Sequence, residues 1–309
     1  MLNELEKRPR FCEPIPKDSL DLEVVIPVYN RDKELAENIP VLCDYLEAYS
    51  PYRWSVTIVD SASTDATAAV AEGLAARYGH RITVLQLDGK GRGIALKAAW
   101  MTSGADVVSY MDADLLGGLE SFLPLIAPLA SGYADLAVGS RLLSGATVTR
   151  GWRPRLVSQG YNLLLKALFA AGFSDARCGF KAIRGEVARD LVPFVEDDGR
   201  LFDTELLLLA EEEGYRIFEV PVDWSQSQTD NLKSHPNTDK SLAEELRGLL
   251  RVRIGRLRRR LKRRYSRFTG RASWRATPLG TEAREYEKAP YESMAVWTDD
   301  SVLPYWDDS

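Results

Sequence analysis

The sequence predicts an α/β protein, with a mostly parallel sheet covered by helices on both faces and a basic amphipathic helix towards the C-terminus. Three observations carry this. Short apolar, β-branched runs alternate with stretches of helical spacing, as repeated βα crossover units require. Several of those runs stop abruptly in a polar or glycine-rich turn. Finally, 309 residues with 45% hydrophobic positions are ample for one large core plus an appendage.

The elements follow in order. Leu22–Val28 is a β-branched run closed by the turn Tyr29-Asn30, and residues 32–49 place Leu35, Ile39, Leu42 and Leu46 on one helical face. A second strand, Ser55–Val59, stops at Asp60. Ser63-Thr64-Asp65 then offers side-chain oxygens to cap a helix running to about Tyr78. Ile82–Leu87 is a third strand, leading through Asp88-Gly89-Lys90-Gly91-Arg92-Gly93 into a helix over 94–102. The fourth strand ends at Asp112. In the second half, Ala134–Val138 is a strand closed by Gly139-Ser140-Arg141. Leu156–Phe173 and Asp203–Gly214 are helices, and Ile217–Val222 is a strand. Ligands of such sheets bind at the carboxyl ends of the strands, where Asn30, Asp60, Lys90 and Asp112 all fall.

The bulk numbers exclude several classes. Cys12, Cys43 and Cys178 are far apart, which argues against a disulfide framework or a zinc site and suits a reducing cytoplasm. With His80 and His235 as the only histidines, a Ser-His-Asp hydrolase is disfavoured. No apolar run reaches bilayer length, and the N-terminus lacks the apolar core of a signal peptide. The net charge of −5 hides an asymmetry: Leu246 to Gly280 carries no acid and about a dozen Arg and Lys residues. The predicted organisation is an N-terminal extension (1–20), the α/β domain (21–230), a basic amphipathic helical segment (231–275) and an acidic tail (276–309).

Asp112-Ala113-Asp114 is the most informative triplet. Side chains two apart in a strand share a side, so both carboxylates can face one point beyond the strand end. Two acids there repel unless a cation lies between them, and a hard divalent ion completed by substrate phosphates is the usual solution. An acidic loop after a buried strand is the plain alternative. Gly89-Lys90-Gly91-Arg92-Gly93 lets backbone N–H groups and cations approach a phosphate, or is simply a tight turn. It matches neither a Walker loop nor a dinucleotide fingerprint. Arg141 suits a phosphate through its planar fork, or a surface ion pair. Asp203 and Glu205 suit a helix N-terminus on dipole grounds, or serve as a base or positioning carboxylate.

The ordered series is specific. Pro27-Val28-Tyr29-Asn30, Val59-Asp60, Gly89-Lys90-Gly91, Asp112-Ala113-Asp114, Gly139-Ser140-Arg141, Cys178-Gly179-Phe180-Lys181, Phe202-Asp203-Thr204-Glu205-Leu206-Leu207 and Glu219-Val220-Pro221-Val222-Asp223-Trp224 follow one another over about residues 20–225. In this the chain resembles family 2 glycosyltransferases of the Rossmann-like GT-A fold, and most of all the dolichyl-phosphate glucose and mannose synthase branch. The resemblance implies a nucleotide-diphosphate sugar donor and a polyprenyl or dolichyl monophosphate acceptor. It implies that Pro27, Tyr29, Asn30 and Asp60 line the nucleotide pocket, with Lys90 near the phosphates. Asp112 and Asp114 would hold Mg2+ or Mn2+, and Arg141 and Lys181 would meet the acceptor phosphate. Cys-Gly-Phe-Lys and Phe-Asp-x-Glu-Leu-Leu lean towards glucose and UDP. Three positions depart from the family pattern: Ser61 replaces a second acid, Arg31 an acid, and Leu116 a polar residue.

The chemistry agrees with the implied assignment. A phosphate monoester is largely ionised near pH 7, with a second pKa of roughly 6, and needs no general base. Direct attack would invert the anomeric centre. A sugar-hydroxyl acceptor would need a base, and Asp203 is the first suspect. Rival readings are transfer to a glycan or soluble hydroxyl, a non-catalytic membrane-binding protein, and a nucleotidyltransferase, for which the later motifs give no support.

Leu246, Leu250, Ile254, Leu257, Leu261, Tyr265 and Phe268 form one helical stripe among Arg and Lys. Such a helix suits an anionic membrane surface over residues 246–268. Packing against the catalytic domain is the alternative; no nucleic acid is expected, because no aromatic interleaving suits base stacking. The expected location is cytoplasmic, peripheral on the inner face of the cell membrane, where a lipid-linked phosphate is reached.

Overall fold

The computed structural model describes residues 15–16, 19–114, 118–146, 148–149, 152–225 and 247–255. In chain order the elements are β1 (Asp21–Val28), α1 (Asp32–Tyr49), β2 (Arg53–Ser61), α2 (Thr67–Tyr78), β3 (Ile82–Leu87), α3 (Arg92–Thr102), β4 (Val107–Met111), α4 (Phe122–Ala130), β5 (Leu136–Ser140), β6 (Val148–Thr149), α5 (Trp152–Phe169), β7 (Phe180–Arg184), α6 (Gly185–Leu191), α7 (Phe202–Glu213), β8 (Ile217–Pro221) and β9 (Trp224–Ser225). Seven strands form one sheet in the order β3-β2-β1-β4-β7-β5-β8, and β6 pairs with β9.

All pairs within the large sheet are parallel except those of β7, which runs antiparallel between β4 and β5. The sheet is covered on both faces, so its strands are continuous apolar runs rather than alternating ones. Successive residues go to opposite cores. Val24 and Ile26 join Leu22, Val56 and Ile58 under α1 and α2, whereas Val25 joins Val59, Val108 and Tyr110 under α3 and α7. Leu35, Ile39, Leu42 and Leu46 of α1 are all fully buried, each worth about 1.5–3 kcal/mol relative to an exposed side chain.

Elements that the periodicity left unassigned have identifiable disguises. β7 carries Lys181 and Arg184, both buried, so its sequence does not look like an interior strand. Pro128 lies inside α4 and breaks the expected helical composition. The predicted helix to Phe173 instead stops at Phe169, and Ala170 takes a left-handed φ of 55°. β7 matters for the site because an antiparallel strand delivers its beginning, Cys178-Gly179-Phe180, to the edge where β1, β2, β4 and β5 end.

Residues 247–255 are helical. Leu249 and Val252 are buried against the core that includes Leu201 and Phe202, and a Cβ added at Gly248 would meet Leu201 Cδ1 at 2.1 Å. Leu250 and Ile254 of the predicted stripe are half exposed on the opposite side. The helix therefore has two apolar sides, one packed and one open. The rest of the predicted amphipathic segment, most of the N-terminal extension and the acidic tail lie outside the described residues.

Candidate active site

Two strand ends build the first wall. Asn30 follows β1 in the left-handed region, at φ 52°, which Asn tolerates better than most residues. Asp60, buried at the end of β2, accepts the Ser63 hydroxyl and the Ser63 N–H at 3.2 Å. Ser63 Oγ accepts the Asn30 N–H at 2.9 Å, and Thr64 N–H donates to Asn30 Oδ1 at 2.8 Å. Ser63 and Thr64 were expected to cap α2. They instead lace the two strand ends together, and Asp65 accepts the Thr67 N–H at 2.9 Å where the helix begins.

Pro27 lies beyond the last β1–β4 pair, Val25 with Tyr110, so its missing N–H costs no bond on that side. Tyr29 is 41% exposed, and the Lys90 ammonium stands 4.2 Å from its ring centroid while donating to its hydroxyl.

The second wall forms where β4 meets β7. Asp112 comes just after β4; Asp112 and Asp114 are half-buried and flank the buried Ala113, with residues 113 and 114 already in a turn rather than in the strand from which alternation was expected. Asp112 N–H donates to Gly179 O at 3.3 Å, and a Cβ at residue 179 would lie 2.1 Å from an Asp112 carboxylate oxygen. Only glycine lets the carboxylate lie against this loop. Arg92, the first residue of α3, donates to Asp112 Oδ1 at 3.0 Å and reaches Asp203 Oδ2 at 3.7 Å. Asp112 is the main reason the guanidinium is held even more firmly protonated than usual.

Behind them is a buried network. Asp203, near the start of α7, accepts the Tyr110 hydroxyl and lies 3.2 Å from Lys181 Nζ, with both ionic side chains 3% exposed. Lys181 also donates to Cys178 O and to Tyr110 Oη. Burial, then Asp203, pushes the Tyr110 phenol well above its ordinary range, so it stays a donor. Lys181 is thus buried within this network rather than presented to solvent. Burial also pushes the Cys178 thiol up to about 12 and the Cys43 thiol to about 11, which excludes both as thiolate nucleophiles near neutral pH.

Arg141, after β5, is not a surface pair. Its Nε and Nη2 make a bidentate contact with Asp175, at 2.7 and 3.0 Å, and Asp175 is fully buried. Burial alone would raise the Asp175 carboxyl, but the Arg141 bonds outweigh it and hold the pKa below the usual value. A carboxyl depressed in the folded state stabilises fully above its unfolded pKa of about 3.9, and that contribution disappears as pH falls through the lower folded value. Asp175→Asn is expected to cost about 3–5 kcal/mol at pH 7, as breaking a buried pair does. Urea melts at pH 7 and below pH 3 check this, because the difference between variant and parent should shrink in acid. An equal difference at both values would contradict it.

Three contributors were not singled out from sequence. Asp175 is signalled only by the need of a buried Arg141 for a partner. Gly179 is signalled by the glycine between Cys178 and Phe180, but its purpose appears only with Asp112 in place. Arg92 is read from sequence only as one of the cations of the glycine-rich turn near a phosphate, not as the partner of Asp112. Glu205 accepts the N–H groups of Glu196 and Asp197 at 3.0 and 2.9 Å, which anchors the loop that precedes α7. That loop places Asp198 O where a Cβ on Gly91 or Gly93 would approach to 2.5–2.8 Å. The backbone that presents Arg92 is therefore fixed by packing.

Among the described residues no group of three or more His, Cys, Asp and Glu side chains gathers as a metal cluster. Asp112 and Asp114 nonetheless fit a Mg2+ or Mn2+ ion, being half-open, hard-oxygen donors, one of which already requires a cation beside it.

Comparison with known proteins matches residues 23–192 to the glycosyl transferase family 2 model. The chain is 32% identical over 207 residues to glycosyltransferase AglD of Haloferax volcanii, covering 66% of this chain but 33% of AglD. It is 31% identical to the polyprenol monophosphomannose synthase of Mycolicibacterium smegmatis, covering 66% of this chain and 77% of that enzyme. It is 29% identical to a dolichyl-phosphate beta-glucosyltransferase of Drosophila melanogaster, covering 67% and 68%. Among solved structures, glucosyl-3-phosphoglycerate synthase of Mycobacterium tuberculosis, in complex with Mn2+, UDP and glucosyl-3-phosphoglycerate, superposes with a TM-score of 0.51 at 22% identity, covering 69% of this chain and 75% of that one. At that identity the likeness concerns the fold.

Proposed function

Because the chain belongs to glycosyl transferase family 2, we propose that it moves a hexose, glucose in preference to mannose, from a nucleotide-diphosphate sugar to a polyprenyl or dolichyl monophosphate, with inversion. The observation that carries the choice of acceptor is Asp203. It is the carboxylate placed to act as a base, yet it is buried, hydrogen-bonded by Tyr110 and ion-paired with Lys181. An acceptor that arrives ionised needs no such base. The relatives named for polyprenol and dolichyl-phosphate substrates point the same way.

In this reading Tyr29, Asn30, Asp60 and Pro27 line the nucleotide pocket, with Lys90 moving from the Tyr29 ring to the donor phosphates. Asp112 and Asp114 hold Mg2+ or Mn2+, whose chemistry is to offset charge on the leaving diphosphate. Arg141, whose Nε–Nη2 edge is held by Asp175, stands where the acceptor phosphate arrives. Lys181 adds positive charge from beneath, and Asp203 positions Lys181, Tyr110 and Arg92. Incubation of the protein and Mn2+ with labelled UDP-glucose or GDP-mannose and a polyprenyl phosphate tests the donor. Label should enter the organic phase more efficiently from UDP-glucose. The reverse preference would reassign the sugar, and no lipid product from either would sink the function.

No helix among the described residues is long and apolar enough to cross a membrane. The open side of 247–255, Leu250 and Ile254 beside exposed Arg247, Arg251 and Arg253, supports a peripheral contact at the inner face of the cell membrane. Each such cation adds about 1 kcal/mol near an anionic surface. The double substitution Leu250→Glu, Ile254→Glu is expected to lower partition onto phosphatidylglycerol-containing vesicles at least about tenfold. Its melting temperature should not change, because both side chains point away from the core. Unchanged vesicle flotation would contradict this contact.

A further inference from the structure

Arg92 opens α3 beside two carboxylates, Asp112 and Asp203. Its guanidinium donates to Asp112 Oδ1 at 3.0 Å, while Oδ2 of the same carboxylate lies against Gly179, where an added Cβ would approach to 2.1 Å, so an ion at this carboxylate competes with Arg92 for it. The same group reaches towards Asp203 at 3.7 Å, but Asp203 already has Lys181 at 3.2 Å and the Tyr110 hydroxyl. Asp203 would therefore stay balanced if Arg92 left, whereas Asp112 would not. The backbone cannot take part in such a move. Added Cβ atoms at Gly91 and Gly93 would meet Asp198 O at 2.5 and 2.8 Å, and the loop carrying Asp198 is held by Glu205 and by a Lys97–Asp198 pair at 2.6 Å. The side chain can move, since it is 38% exposed.

We propose that Arg92 is a displaceable counter-ion that neutralises Asp112 in the donor-free protein and passes to the donor's diphosphate when the divalent ion binds. The inference rests on the assignment of Asp112 as a metal ligand. A guanidinium and a divalent ion repel each other at one carboxylate, so the ion alone binds weakly. A diphosphate gives the fork a new anionic partner and the ion additional oxygens, so nucleotide and ion bind together. By linkage each must raise the affinity of the other by the same factor. Arg92 thereby makes cation binding conditional on the nucleotide and adds a contact to the leaving group.

The test is a Mn2+ titration followed by electron paramagnetic resonance, with and without UDP, on the parent, Arg92→Met and Arg92→Lys. The parent should bind Mn2+ weakly alone and much more tightly with UDP. Arg92→Met should bind Mn2+ alone about tenfold more tightly, with a correspondingly smaller enhancement by UDP. Arg92→Lys, which keeps the charge at a half-exposed position, should fold and retain most of the coupling. If Arg92→Met fails to fold, Arg92→Gln takes its place: tighter Mn2+ binding alone with a smaller UDP enhancement supports the proposal, and parental affinity and coupling overturn it. Unchanged Mn2+ affinity and coupling in a folded Arg92→Met overturn the counter-ion alone. A parent that binds no Mn2+ even with UDP overturns both this proposal and the metal assignment beneath it.

Discussion

Asp112→Ala is expected to lower kcat/KM for donor and acceptor by roughly 10³-fold at saturating Mn2+, because several kcal/mol of charge stabilisation disappear and each 1.36 kcal/mol is a factor of ten. The carboxylate stands just past β4, half-buried, with its backbone N–H tied to Gly179 O. In the proposed reading it is one of two carboxylates that hold the ion, and Asp114 alone does not replace it. Little stability should be lost, because the side chain is not part of the core and its Arg92 partner is itself half exposed. Asp112→Asn should be less damaging, since an amide oxygen still donates but carries no charge. Steady-state kinetics with a thermal melt checks both halves. Near-parental turnover in a folded Asp112→Ala would remove this pair as the diphosphate's anchor.

Asp203→Ala should behave in the opposite manner, with its largest effect on stability. Removing this carboxylate leaves the Lys181 ammonium buried with only Cys178 O and Tyr110 as neutral partners. Breaking a buried pair costs about 3–5 kcal/mol, which for a domain of this size is a fall in Tm of roughly 10 °C. Replacing both partners, as in Lys181→Met with Asp203→Leu, should recover much of that loss, because no charge is then stranded. A surface base would give a different pattern: Asp203→Ala would lose turnover while melting like the parent. Thermal melts of the two variants separate the alternatives.

Much of the fold was legible because its forces are local and periodic. Leu35, Ile39, Leu42 and Leu46 announce α1, and β1 to β3 are apolar runs that end in polar turns. Asn30, Asp60, Lys90 and Asp112 could be placed at one edge because strand ends in a parallel sheet share it. The roles of Lys181 and Arg141 were harder to see. A cation in sequence reads as solvent-exposed, and only the packed structure shows Lys181 buried against Asp203 and Arg141 locked to Asp175. Gly179 and Glu205 act through space on Asp112 and on the Gly91–Gly93 turn, with no periodicity to reveal it. The C-terminal helix was read by its regular Leu250–Ile254 stripe; the side that packs, Gly248, Leu249 and Val252, interleaves with it and was hidden by it.

In the proposed reaction the acceptor atom is an ionised phosphate oxygen served without a general base. Structure determination of the purified lipid product by phosphorus and proton nuclear magnetic resonance tests it most directly. A β-linked hexose attached through a phosphodiester is expected when the donor is α-linked, with phosphorus coupled to the anomeric proton. A hexose joined through an ether-type glycosidic oxygen to a hydroxyl acceptor, with no such coupling, would contradict it.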